Sequence, residues 1–158
     1  MTKVAERLDA RSYRLRSGAA NGADAAFEKG SLNREIFLPW PGFNGSASPF
    51  TGPSGVALTV ARVLHPAFDR LSEPAKQLMA RNSHQILGPD MDAPSDFVVC
   101  WTPDGAETAD QRTHLTGGTG QAIALASRWG VPVFNLARPD ALVRISHHLS
   151  GHLPTTAP

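Results

Sequence analysis

Residues 95–136 run SDFVVCWTPDGAETADQRTHLTGGTGQAIALASRWGVPVFNL, and they decide the fold. The stretch 95–101 is a continuous apolar run between turn signals, as expected for a central strand buried on both faces. A long loop follows over 102–120. QAIALASRWG then has helical spacing and stops at Gly130, and VPVFNL, 131–136, reads as a second buried strand. Strand, helix, strand in that order is a parallel crossover unit.

Working outward, the pattern repeats. KVAERLDA, 3–10, carries Val4 and Leu8 four apart and reads as a short amphipathic helix. YRLR, 13–16, alternates like a strand, residues 17–24 turn the chain, and ADAAFEKG forms a helix ending at Gly30. EIFLPW, 35–40, is a strand stopped by Pro39 and Pro41, and residues 41–55 form a long loop. VALTVARVLH, 56–65, is helical up to Pro66. Ser72 caps a further helix with Pro74 in its first turn, running to Gly88. PDALVRISHHL closes the domain as a helix. The expected class is α/β, a Rossmann-like three-layer sandwich with a mainly parallel sheet. One domain spans 1–150, and a flexible tail spans 151–158.

Composition narrows the function. The chain has 158 residues, hydrophobic fraction 41%, charged fraction 18% and net charge +1. Disorder driven by charge is excluded, and bulk charge does not favour nucleic acid. One cysteine, Cys100, excludes an internal disulfide and a cysteine-based zinc site, and in its strand it reads as inert core. No apolar run reaches ~18 residues and no signal peptide is recognisable at the start, so the expected location is cytoplasmic. No cofactor and no metal site is expected. His147, His148 and His152 lack a credible ligand spacing.

The 14 glycines and 13 prolines are clustered. In a parallel sheet the loops leaving the carboxyl ends of strands share one rim, and ligands bind there. Residues 17–24, 39–53 and 102–120 all follow strands. Thr116-Gly117-Gly118-Thr119-Gly120 opens a helix, so its main-chain N–H groups and threonine hydroxyls suit a phosphate, although no Walker lysine follows. Ser17, Gly18, Asn21 and Gly22 form a similar bend. Asp24 beyond it is either a ligand-facing carboxylate or a helix staple. The expected site joins these two bends, with main-chain amides holding an anion. Arg81 is a further ligand candidate, Trp40 and Trp101 are candidates for base stacking, and His114 is the most credible catalytic histidine. Asp104 and Glu107 read as loop carboxylates without a specific role.

Five segments in order carry a family resemblance: LRSGAANGADAAFE (15–28), EIFLPWPGFNG (35–45), Ala80-Arg81-Asn82, PSDFVVCWTPDG (94–105) and TGGTGQA (116–122). Over roughly residues 10–140 the chain resembles a phage and prophage branch of the SLOG superfamily. That superfamily has a Rossmann-like fold and includes DprA-type DNA-processing proteins, lonely-guy phosphoribohydrolases and nucleotide-sensing domains of anti-phage systems. The resemblance implies a pocket for a nucleotide or nucleotide-derived ligand, and a host-cytoplasmic location if phage-encoded. Three departures stand out. Relatives open with a strand ending in a Gly-Ser-Arg-like turn, whereas this chain starts at the following helix, so a partner chain is one way to complete the site. The first bend has Ala19 where relatives have glycine. Against the phosphoribohydrolase pattern Pro-Gly-Gly-x-Gly-Thr-x-x-Glu, Gln121 stands at the threonine and Ala124 at the glutamate, and of the Arg-Lys pair only Arg81 is kept, with Asn82 in the lysine position.

Four functions follow as expectations. The first is a sensor or sequestering protein for a nucleotide-derived small molecule. The second is an N-glycosidic hydrolase of the phosphoribohydrolase kind, with Asp24, His114 or Glu107 as acid or base. The third is DprA-like binding of single-stranded DNA through Arg11, Arg14 and Arg16, which near-neutral charge does not favour. The fourth is a structural role in a homo-oligomer, since an open sheet edge invites association.

Overall fold

The computed structural model describes residues 1–151; the expected tail from 152 on, with His152, lies outside the described residues. The elements follow the expected order. Helix α1 spans Thr2–Asp9, strand β1 Leu15–Ser17, helix α2 Ala23–Glu28 and strand β2 Arg34–Ile36. Helix α3 spans Gly55–Leu64, helix α4 Glu73–Leu87 and strand β3 Val98–Cys100. Helix α5 spans Thr119–Arg128, strand β4 Val133–Asn135 and helix α6 Ala141–Gly151.

Local chemistry sets the helix ends. Ser54 caps α3 by accepting from the Ala57 N–H at 3.2 Å. Ser72 caps α4 from the Ala75 N–H at 3.4 Å, with Pro74 in the first turn. Gly88 ends α4 at φ +76°, and Gly130 turns the chain after α5 at φ +67°. Helices α3, α4 and α5 pack on one another. Ala57, Ala61, Ala80 and Ala126 are almost fully buried between them beside Ile86, Leu87, Ile123 and Leu125. The alanines let helix axes approach closely while the larger residues fill the layer toward the strands.

The strands are parallel, but they are short and form two sheets of two. β1 pairs with β2 in the register Arg16 to Glu35, and β3 pairs with β4 in the register Val99 to Phe134. The expectation of one mainly parallel sheet is met only as a mixed α/β chain with parallel pairs. The expected full burial of 95–101 is also corrected. β4 is buried throughout, whereas Val98 and Val99 are half-buried and Trp101 is exposed. The cause is visible beside them: a cavity of about 1060 Å³ lies between the two sheets, with β1 and β3 both on its wall.

Both long loops are organised. After β2 the chain makes a short helical turn at Phe43–Gly45 and returns alongside itself. Leu38 N–H donates to Phe50 O at 2.9 Å, Gly52 N–H donates to Leu38 O at 3.0 Å, and Leu38 so bridges Thr51. The second loop carries turns at Ala109–Gln111 and His114–Thr116. Among the described residues no helix is long and apolar enough to cross a membrane.

Candidate functional site

Adjacent residues of α4 bring the two bends to one cavity. Arg81 reaches the first bend: its Nη1 stands 3.5 Å from Asp24 Oδ2. Asn82 reaches the second, donating from Nδ2 to Gly118 O at 3.0 Å. Ser17, Asn21, Gly22, Asp24, Trp101, Gly118 and Thr119 share the cavity wall with them.

The bends differ in what their amides do. In the first, Gly18 N–H and Ala20 N–H both donate to Asp24 Oδ2 at 3.2 Å, and Ala19 N–H donates to Glu28 Oε1 at 3.1 Å. Ser17 Oγ also donates to Glu28 Oε1, at 2.5 Å. The protein's own carboxylates therefore occupy the place where the bend was expected to take an anion. Ala19 itself sits at φ +55°, in the left-handed region where its methyl group is strained. In the second bend, Gly117, Gly118 and Thr119 N–H groups take no acceptor among the described residues. Thr116 is committed: its hydroxyl donates to Asp104 and accepts from Thr113 N–H at 2.8 Å. Gly120 is buried against Arg112 and Thr116, and Gly117 is exposed off the cavity.

Arg81 is the unusual group. It is 4% exposed, yet its Nε and Nη1 make no hydrogen bond among the described residues. Its guanidinium lies 5.9 Å from the centre of the Phe43 ring. Burial pulls its pKa below the ordinary value, against the opposing charge of Asp24. Gly18 makes room for it, because a Cβ there would fall 1.0 Å from Arg81 Nη1. Buried guanidinium donors short of acceptors are costly, and the Asp24 carboxylate at 3.5 Å is the charge that stands beside them.

Other expected residues lie elsewhere. His114 is exposed and off the cavity wall. Trp40 also lies off the wall, packing edge-on against Phe43 with ring centres 5.1 Å apart. Trp101 is half-exposed on the wall. Glu107 is bound to Arg144 at 2.6 Å and to Asn135 N–H at 2.7 Å, away from the cavity. Asp104 organises the second loop. It gathers the Thr102 and Thr113 hydroxyls at 2.7 Å, the Thr116 hydroxyl and the Ala106 amide. Of the basic cluster, Arg14 and Arg16 both bind Glu35 at 3.0 Å. Cys100 is buried, and burial pushes its thiol pKa up to about 12, so it is unreactive core.

Sequence reasoning took Arg81 as a ligand candidate but did not read the run Arg81-Asn82-Ser83-His84 as one buried polar block; all four are buried inside α4. Ser83 Oγ makes no hydrogen bond among the described residues. His84 is core: it stacks on Phe37 and accepts from Ser54 N–H at 3.1 Å. A readable signal existed, since the five consecutive polar residues between Ala80 and Ile86 put polar atoms on every side of a helix whose neighbours are apolar. Glu28 was missed as well, although its spacing of four from Asp24 puts both carboxylates on one helical face.

No family model, curated protein or solved structure matches the chain.

Proposed function

We propose that the chain binds a nucleotide or nucleotide-derived ligand at the carboxyl end of β1 and β3, in a sensing or sequestering role. The observation that carries it is Arg81: a buried guanidinium, paired with Asp24 but short of hydrogen-bond acceptors at Nε and Nη1, on the wall of a cavity that the second bend also reaches. A phosphate there would accept from Arg81 and from the amides of Gly118 and Thr119 at the start of α5. The half-exposed indole of Trp101 offers a face for a base. A cavity of about 1060 Å³ has room for a mononucleotide or a larger derivative. On the same proposal the two small sheets are parts of a Rossmann-like sandwich of the SLOG kind. Cleavage is not favoured, because His114 and Glu107 lie off the cavity and Asp24 is held by two amides.

Calorimetry against AMP, ADP-ribose, NAD and cyclic nucleotides tests the proposal. Saturable binding of at least one is expected, weakened at least tenfold in Arg81→Gln. If Arg81→Gln fails to fold, Thr119→Pro removes one amide donor at the first helical position and is expected to weaken binding severalfold. No heat with any ligand at millimolar concentration overturns the proposal.

A further inference from the structure

In a parallel ladder one residue turns both its N–H and its C=O to one neighbour, and the next residue turns both to the other side. Leu15 N–H donates to Asn33 O at 2.9 Å, and Ser17 O accepts from Phe37 N–H at 2.8 Å, so Leu15 and Ser17 face β2. Arg16, between them, faces away. On the other sheet Val98 N–H donates to Pro132 O and Cys100 O accepts from Leu136 N–H, both at 2.8 Å, so Val99 faces away from β4. Neither Arg16 nor Val99 finds a main-chain hydrogen-bond partner among the described residues. Both line the same cavity.

The two open edges also run in the same direction. At their amino ends, Tyr13 ahead of β1 meets Phe97 ahead of β3 edge-on, with ring centres 5.4 Å apart, and Arg16 Nη1 donates to Ala93 O at 2.6 Å. At their carboxyl ends, Ser17 and Cys100 share the wall with the Arg81–Asn82 pair. Leu78 and Ile86 of α4 and Leu8 of α1 supply apolar wall between.

The geometry points to a strand seat: the cavity between β1 and β3 takes one extended polypeptide strand, supplied from outside residues 1–151, that pairs in parallel with both edges and joins the two small sheets into one. The occupant's chemistry follows from its setting. Both of its edges are paired, and the wall offers apolar side chains at Leu8, Leu78 and Ile86 beside polar ones at Asp9, Gln85 and Asp96, so it is a run of about five residues without proline, with β-branched side chains toward the apolar wall, some ~17 Å long. Backbone pairing supplies the affinity, as in other cases of strand addition. A small molecule fits the polar end at Arg81 but cannot satisfy two main-chain edges at once. The seat does not rest on the nucleotide proposal, since Arg16 and Val99 lie along the strands and the anion donors lie beyond their ends.

The test uses the isotope-labelled chain and an acetylated, amidated peptide of two lysines followed by alternating valine and isoleucine over five residues. A control peptide has the same side chains with every second amide N-methylated. Saturable binding is expected, with amide exchange at Arg16 and Val99 slowed at least tenfold and the methylated peptide bound at least tenfold more weakly. Unchanged exchange at those two amides, equal binding of the methylated peptide, or no binding overturns the strand seat. AMP added to the same samples reads the Gly118 and Thr119 amides instead, so failure of the nucleotide proposal is seen separately.

Discussion

The two small-residue bends have similar composition and opposite outcomes. Residues 17–24 give their amides to Asp24 and Glu28, and residues 116–120 leave those of Gly118 and Thr119 open. The difference lies in the helix that follows. α2 carries a carboxylate in its first turn and another four residues on, and both reach back to the bend. α5 runs Thr119–Arg128 without an acid, so nothing in its first turn competes for the exposed N–H groups. Small residues allow a close approach; the adjacent side chains decide whether the visitor is the protein itself.

The contrast can be broken experimentally, and the largest effect is expected at Gly18. Gly18→Ala would push its methyl group into Arg81, with an expected loss of about 3 kcal/mol in denaturant unfolding. In an Arg81→Ala background the same change is expected to cost less than about 1 kcal/mol. Equal costs in both backgrounds would show that Arg81 is not what Gly18 accommodates. Asp24→Ala comes next. It frees two amides and removes the carboxylate beside Arg81, for an expected loss of about 2 kcal/mol. If the first bend is an anion seat already filled by its own acid, added phosphate restores part of that loss in Asp24→Ala and does nothing comparable in the parent chain. A thermal melt with and without phosphate reads this directly. Ala19→Gly relieves the left-handed alanine and is expected to gain about 0.5 kcal/mol, since the relief of strain exceeds the lost methyl burial. Urea midpoints for the two chains measure it.

The last effect is read by acidification and concerns the second bend. The Thr116 hydroxyl, with those of Thr102 and Thr113, holds the Asp104 carboxyl well below the usual carboxylate range. A depressed folded value means that the stabilisation is complete above the unfolded pKa, near ~4, and is lost as the pH falls through the folded one. The melting temperature is therefore expected to drop on acidification below about pH 4. Asp104→Asn is expected to be less stable at pH 7 and to have a flatter acid profile. A parallel fall in both chains would remove Asp104 from that role.

Element order was legible because helix and strand signals are local: Ser72 with Pro74, Gly88 and Gly130 mark boundaries through backbone geometry alone. The bends were legible as places of close approach. Their occupants were not, because hydrogen-bond ownership depends on whether Asp24, Glu28 or Asp104 reaches a given amide or hydroxyl. Trp40 and His114 follow strands and loops of the expected kind yet miss the cavity, since their side chains are placed by the folding of the long loops.

Sequence by itself determined the alternation of helices and short strands, the caps that separate them, and the small residues at both bends. Tertiary structure alone decided that the strands pair two by two, that Arg81 is buried beside Gly18, and that one bend is closed while the other is open. The physical reason is range: turn and helix preferences act over a few residues, whereas edge pairing and the satisfaction of a buried guanidinium depend on groups brought together from distant parts of the chain.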